Sequence, residues 1–118
     1  MSKIVQAVNA MIANRKLISD VVKADDELVF VYKEKYVWSM GRKGSEHWLW
    51  YYANSSVSEV ISRASSNYWD DASMVRYSDI EIGTKEARAS FSELFIILSE
   101  KIYGIDAVLD DIIADDFS

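Results

Sequence analysis

Residues 28–53 carry three short runs separated by two turn signals, and this rhythm restricts the chain more than any other feature. The runs "LVFVYK" (28–33), "YVWSM" (36–40) and "HWLWYYA" (47–53) are rich in β-branched and aromatic residues, the types that suit a pleated, half-buried surface. The charged "KEK" at 33–35 bounds the first pair of runs. "GRKGS" at 41–45, with two glycines that tolerate positive φ, bounds the second. Strands joined by connections this short form an antiparallel meander.

The flanking segments change period. Residues 2–23 read as one helix, because Ile4, Val5, Val8, Met11, Ile12, Ile18, Val21 and Val22 follow the spacing of a buried helical stripe. Ser2 is its expected N-cap and the acidic "ADDE" at 24–27 its exit. Ser56 and Glu59 have capping-box spacing ahead of Val57, Val60, Ile61 and Ala64, which predicts a short helix within 55–67. "MVRYSDIEI" (74–82) reads as a fourth strand that ends at Gly83. Thr84 then caps a helix over 85–103 with Ala87, Phe91, Leu94, Phe95, Leu98 and Ile102 on its core face, and Gly104 closes it. "IDAVLDDIIADD" (105–116) supplies a last amphipathic helix through Ile105, Val108, Leu109, Ile112 and Ile113.

The expected order is therefore α-β-β-β-(α)-β-α-α. This is an α+β fold, an antiparallel sheet of about four strands packed against N-terminal and C-terminal helices. With 118 residues, no proline and no repeat, residues 1–118 are expected to form a single domain. There is no cysteine, which excludes disulfides, thiolate metal sites and Cys nucleophiles. No run approaches the ~20 apolar residues of a membrane span, and the start lacks an apolar signal-peptide core. A cytoplasmic protein with no membrane association is expected.

Charge is unevenly spread. Residues 1–68 hold nine Lys/Arg against seven Asp/Glu, whereas residues 69–118 hold four against twelve. Phosphate repulsion makes the second part a poor nucleic-acid surface, and a cationic protein partner suits it better. Within it, Asp106, Asp110, Asp111, Asp115 and Asp116 form a candidate acidic patch that would capture Lys or Arg by steering and rim ion pairs. Asp70 and Asp71, after Trp69, read as solvated loop residues.

The aromatic strands offer the other candidate surface. Alternation turns His47, Leu49, Tyr51 and Ala53 one way and Trp48, Trp50 and Tyr52 the other; Tyr36, Trp38 and Met40 likewise oppose Val37 and Ser39. Which of these share a side depends on strand register, which the sequence leaves open. Tyr36, Trp38, His47, Trp48, Trp50 and Tyr52 are the candidate binding residues, for a protein or a small ligand. Large aromatics also serve as ordinary core, and helices wrapping both faces would account for them equally.

Catalytic signals are sparse. His47 is the single histidine, no nucleophile elbow surrounds any serine, and one imidazole makes a histidine-based metal site improbable. "GRKG" lacks the length and ending of a phosphate loop. The expectation is a non-enzymatic interaction module without catalytic residues, metal or cofactor, one that masks a basic partner as an inhibitor or immunity-type protein would. Two alternatives stay open. One is a small-molecule-binding domain with an aromatic-lined pocket in a helix-covered curved sheet; the other is a homodimeric scaffold joined through the aromatic face or through Ile96 and Ile97.

Overall fold

The computed structural model describes residues 2–66 and 74–116; the solvated loop expected around Asp70 and Asp71 lies outside them. Five antiparallel strands form one sheet in sequence order: β1 (Ile18–Ala24), β2 (Glu27–Tyr32), β3 (Tyr36–Lys43), β4 (Glu46–Tyr52) and β5 (Met74–Ser78). Helices α1 (Lys3–Ala13) and α4 (Lys85–Tyr103) pack together on one face. Helix α2 (Val57–Ser66) lies on the other, against β1 and β2. A short α3 (Asp79–Ile82) follows β5, and α5 (Ile105–Asp116) follows α4. The α+β class holds, with five strands where about four are expected from sequence.

The extra strand corrects the reading of 2–23 as one helix. Ser2 does cap α1, accepting from the Val5 N–H, but the helix ends at Asn14 and a 3-10 turn over Arg15–Leu17 leads into β1. A β-bulge explains why the helical pattern misleads. Ser19 pairs with Val31 and Val22 with Val29, so β1 spends three residues where β2 spends two, with Asp20 at φ 53°. Ile18 and Val21 therefore both join the α1/α4 core, at a spacing of three that imitates a helix.

The reading of 74–82 as one strand is also shortened. Ser78 accepts from the Glu81 N–H and starts α3, which Gly83 ends in the left-handed region at φ 78°. The remaining expected signals act as read. Ser56 caps α2, its hydroxyl accepting from the Glu59 N–H and donating to Glu59 Oε1, both at 3.2 Å. Thr84 accepts from the Ala87 N–H at 3.1 Å, and Gly104 at φ 59° ends α4.

Two cores result. Phe30, Met40, Leu49, Phe91, Leu94 and Leu98 are fully buried between the sheet and α1/α4. Val29, Val31, Val37 and Tyr52 meet Val60 beneath α2. Helix α5 joins neither. Val108, Leu109, Ile112 and Ile113 are 47%, 47%, 60% and 55% exposed, a full apolar stripe at i, i+1, i+4 and i+5 facing water. Among the described residues no helix is long and apolar enough to cross a membrane.

Candidate interaction surface

Register decides what the aromatic residues do. Phe30 pairs with Trp38, which pairs with Tyr51, and Met40 pairs with Leu49. Tyr36, Trp38, His47, Leu49 and Tyr51 thus share the α1/α4 face, while Trp48, Trp50 and Tyr52 share the α2 face with Val37 and Ser39. The six candidate binding residues are divided between two faces and form no single surface.

On the α1/α4 face, Tyr36, Trp38 and Tyr51 make an open aromatic ladder. Trp38 and Tyr51 have ring centroids 4.9 Å apart, and Tyr36 and Tyr51 6.4 Å apart. With Ala10, Met11 and Leu17 they line a groove of about 710 Å³ near the β2–β3 hairpin. Trp38, which lines it, carries the one buried side-chain nitrogen or oxygen without a hydrogen-bond partner among the described residues, its Nε1. The groove rim is cationic: Lys33 lines it, and Lys35 Nζ sits 4.8 Å from the Tyr36 ring centroid. Leu17 and Tyr36 at the groove edge are 37% and 38% exposed.

His47 is buried at 7% exposure and joins β4 to α3. Its backbone N–H donates to Asp79 Oδ1 at 3.0 Å, and its Nδ1 lies 3.0 Å from Asp79 Oδ2. Phe95 meets the ring edge-on at 5.6 Å. Arg42, Lys85 and Arg88 flank the cleft above the pair, and Ser45 and Ser92 line it. Among the described residues neither serine hydroxyl bonds the imidazole, and Asp79 clasps His47 by both its backbone and its ring.

Tyr52, also a candidate binding residue, is 3% exposed and belongs to the α2-side core. Its hydroxyl lies 2.7 Å from Ser39 Oγ, and Ser39 donates to Glu27 Oε2 at 3.3 Å. Ser39 has one hydroxyl proton, so the phenol donates to Ser39 and Ser39 donates onward. Burial pushes the Glu27 carboxyl above its ordinary range, opposed by the Ser39 bond and reinforced by Asp25 and Asp26. Burial likewise pushes the Tyr52 phenol up to about 12, eased by Ser39 and reinforced by Glu27. Trp50 is half-buried against the same core, while Trp48 is half-buried and opens onto the cleft between Glu27 and Phe95.

The acidic candidates occupy α5. Asp110, Asp111 and Asp115 are exposed, and Asp106 and Asp116 belong to the same helix. At 100° per residue, positions 106 and 110 fall on one side of the apolar stripe and positions 111 and 115 on the other. Acid thus flanks exposed aliphatic surface on both sides, and no basic residue occurs in the helix. Of the two apolar positions suggested for self-association, Ile96 is 53% exposed but Ile97 is buried at 4%. The sequence reading missed Glu27, Ser39 and Asp79. Only Asp79 had a local signal, the Ser78-x-x-Glu81 capping spacing that marks a helix start.

Comparison with known proteins finds no matching family, no matching curated protein and no matching solved structure.

Proposed function

We propose that this chain is a non-enzymatic protein–protein interaction module whose docking element is α5. One observation carries the reading: the apolar stripe Val108, Leu109, Ile112 and Ile113 is about half exposed on a helix flanked by aspartates. A lone twelve-residue helix is marginal in water, and burying the remaining half of each aliphatic side chain is worth roughly 1 kcal/mol apiece. Helix-in-groove recognition reads anchors at i, i+3, i+4 and i+7, the spacing of Ile105, Val108, Leu109 and Ile112 in α5. The complementary surface is an apolar groove with a basic rim, and a module that masks a cationic partner is one form of such a protein.

Leu109→Asp with Ile112→Asp tests it. Neither side chain supports the two cores, so the melting temperature should stay within a few degrees of the wild type. Any specific partner should lose binding by at least ten-fold. A variant that unfolds would mean α5 belongs to the core, and one that binds its partner normally would place docking elsewhere.

The groove under Tyr36, Trp38 and Tyr51 favours a second reading, a small-molecule site, because its volume of about 710 Å³ suits a ligand cleft. Saturable quenching of Trp fluorescence by an apolar ligand, abolished by Trp38→Phe, would support that reading. Quenching that persists in Trp38→Phe would refute it.

A further inference from the structure

We infer that the partner of α5 is a second copy of this chain, each copy laying its α5 into the aromatic groove of the other. The inference rests on the reading of α5 as a docking helix and names its partner. A single sequence carries both halves of a complementary pair. One half is an exposed aliphatic stripe flanked by acid, with five Asp and no Lys or Arg in α5. The other is an open apolar groove lined by Leu17, Tyr36, Trp38 and Tyr51 and carrying Lys33, with Lys35 over the Tyr36 ring. Glu34 is the sole acid within residues 31–37.

Geometry favours exchange between copies over closure within one. The last turns of α4, at Ser99, Ile102 and Tyr103, lie beside Lys23, Glu27 and Leu28, where β2 begins. The groove lies beside Tyr32 and Tyr36, where β2 ends. Six residues of strand separate the two ends, roughly 20 Å, while α5 itself is about 18 Å long. Gly104 ends α4 in the left-handed region, and beyond it the apolar stripe of α5 is exposed. A two-fold arrangement forms the helix-in-groove contact twice, which brings the buried area toward the roughly 1,200–2,000 Å² of a specific interface. The uneven charge of the chain follows the same division, since the groove belongs to the cationic first part and α5 to the acidic second.

A charge exchange tests the pairing on the full chain, with mass measured by light scattering after gel filtration. The wild type should run at twice its 13.5 kDa chain mass and shift toward monomer in 1 M salt, where exposed ion pairs are screened. Asp110→Lys, Asp111→Lys and Asp115→Lys together, which leave two acids against three bases in α5, should be monomeric, as should Lys33→Glu with Lys35→Glu. An equimolar mixture of the two variants should recover the doubled mass, because both α5–groove contacts are again of opposite charge. A wild type that stays monomeric at high concentration overturns the second copy as partner while leaving α5 open to another protein. A dimer that survives in both variants also overturns the inference, by placing the interface elsewhere. If Leu109→Asp with Ile112→Asp unfolds the domain, the docking reading itself falls, a result distinct from either.

Discussion

Tyr52→Phe removes one buried hydroxyl, and its effect should change sign with pH. The phenol is 3% exposed and bonded at 2.7 Å to Ser39, which is itself fully buried. At neutral pH the variant forfeits the bond to Ser39, about 1 kcal/mol net, while Ser39 retains Glu27 as its acceptor. At alkaline pH the wild type carries a liability that the variant lacks. The folded-state pKa is pushed up to about 12 from an ordinary value of 10. Between those values the unfolded chain releases the phenolic proton and the folded chain keeps it. Stability from this group is thus complete below pH 10 and falls as pH rises, by about 1.4 kcal/mol per unit. The wild-type advantage should shrink from about 1 kcal/mol near pH 8 to zero between about pH 10 and 11. By about pH 12 the variant should be the more stable by about 1 kcal/mol. Urea unfolding followed by Trp fluorescence measures this difference, and the other six tyrosines, common to both proteins, cancel. A difference that stays constant across the range would show that the folded state leaves the hydroxyl solvated, and the relay through Ser39 would be wrong.

Two further outcomes are expected of the buried polar groups. Asp79→Ala strands the His47 N–H and its ring nitrogen away from water, so the urea-derived stability should fall by about 3 kcal/mol. A loss under about 1 kcal/mol would show that the clasp is solvated. Glu27→Gln keeps an acceptor for Ser39 but cannot ionise. Because the folded-state pKa of Glu27 is raised, the wild type loses stability as pH climbs from 4.5 through the folded value. The Gln variant should therefore be the more stable at neutral pH, with the gap closing toward acid; parallel pH profiles would refute the burial of that carboxylate.

Much of the architecture was legible because it is encoded between near neighbours. The Ser56 cap on the Glu59 N–H, the Thr84 cap and the Gly104 stop are contacts within one helical turn, and each forms at the expected residue. The candidate surface was less legible. Tyr52 reads as a binding residue in sequence, yet it packs under α2, and the partner that clasps His47, Asp79, lies 32 residues away. Residues 18–22 misled for a related reason. Their apolar spacing is helical by count, and only pairing with β2 reveals it as a bulged strand.

By itself, then, the sequence determined the strand-rich centre, the helix ends, the amphipathic character of α5 and the acidic bias of the second part of the chain. These are properties of periodicity, local hydrogen bonding and composition, which need no distant partner to exist. Tertiary structure alone decided the rest: the shared face of Tyr36, Trp38 and Tyr51, the relay from Tyr52 to Glu27, and the exposure of the α5 stripe. A one-residue change of register would move every strand side chain to the opposite face. Which faces are buried is therefore set by the free energy of long-range pairing and packing, which no short window of sequence contains.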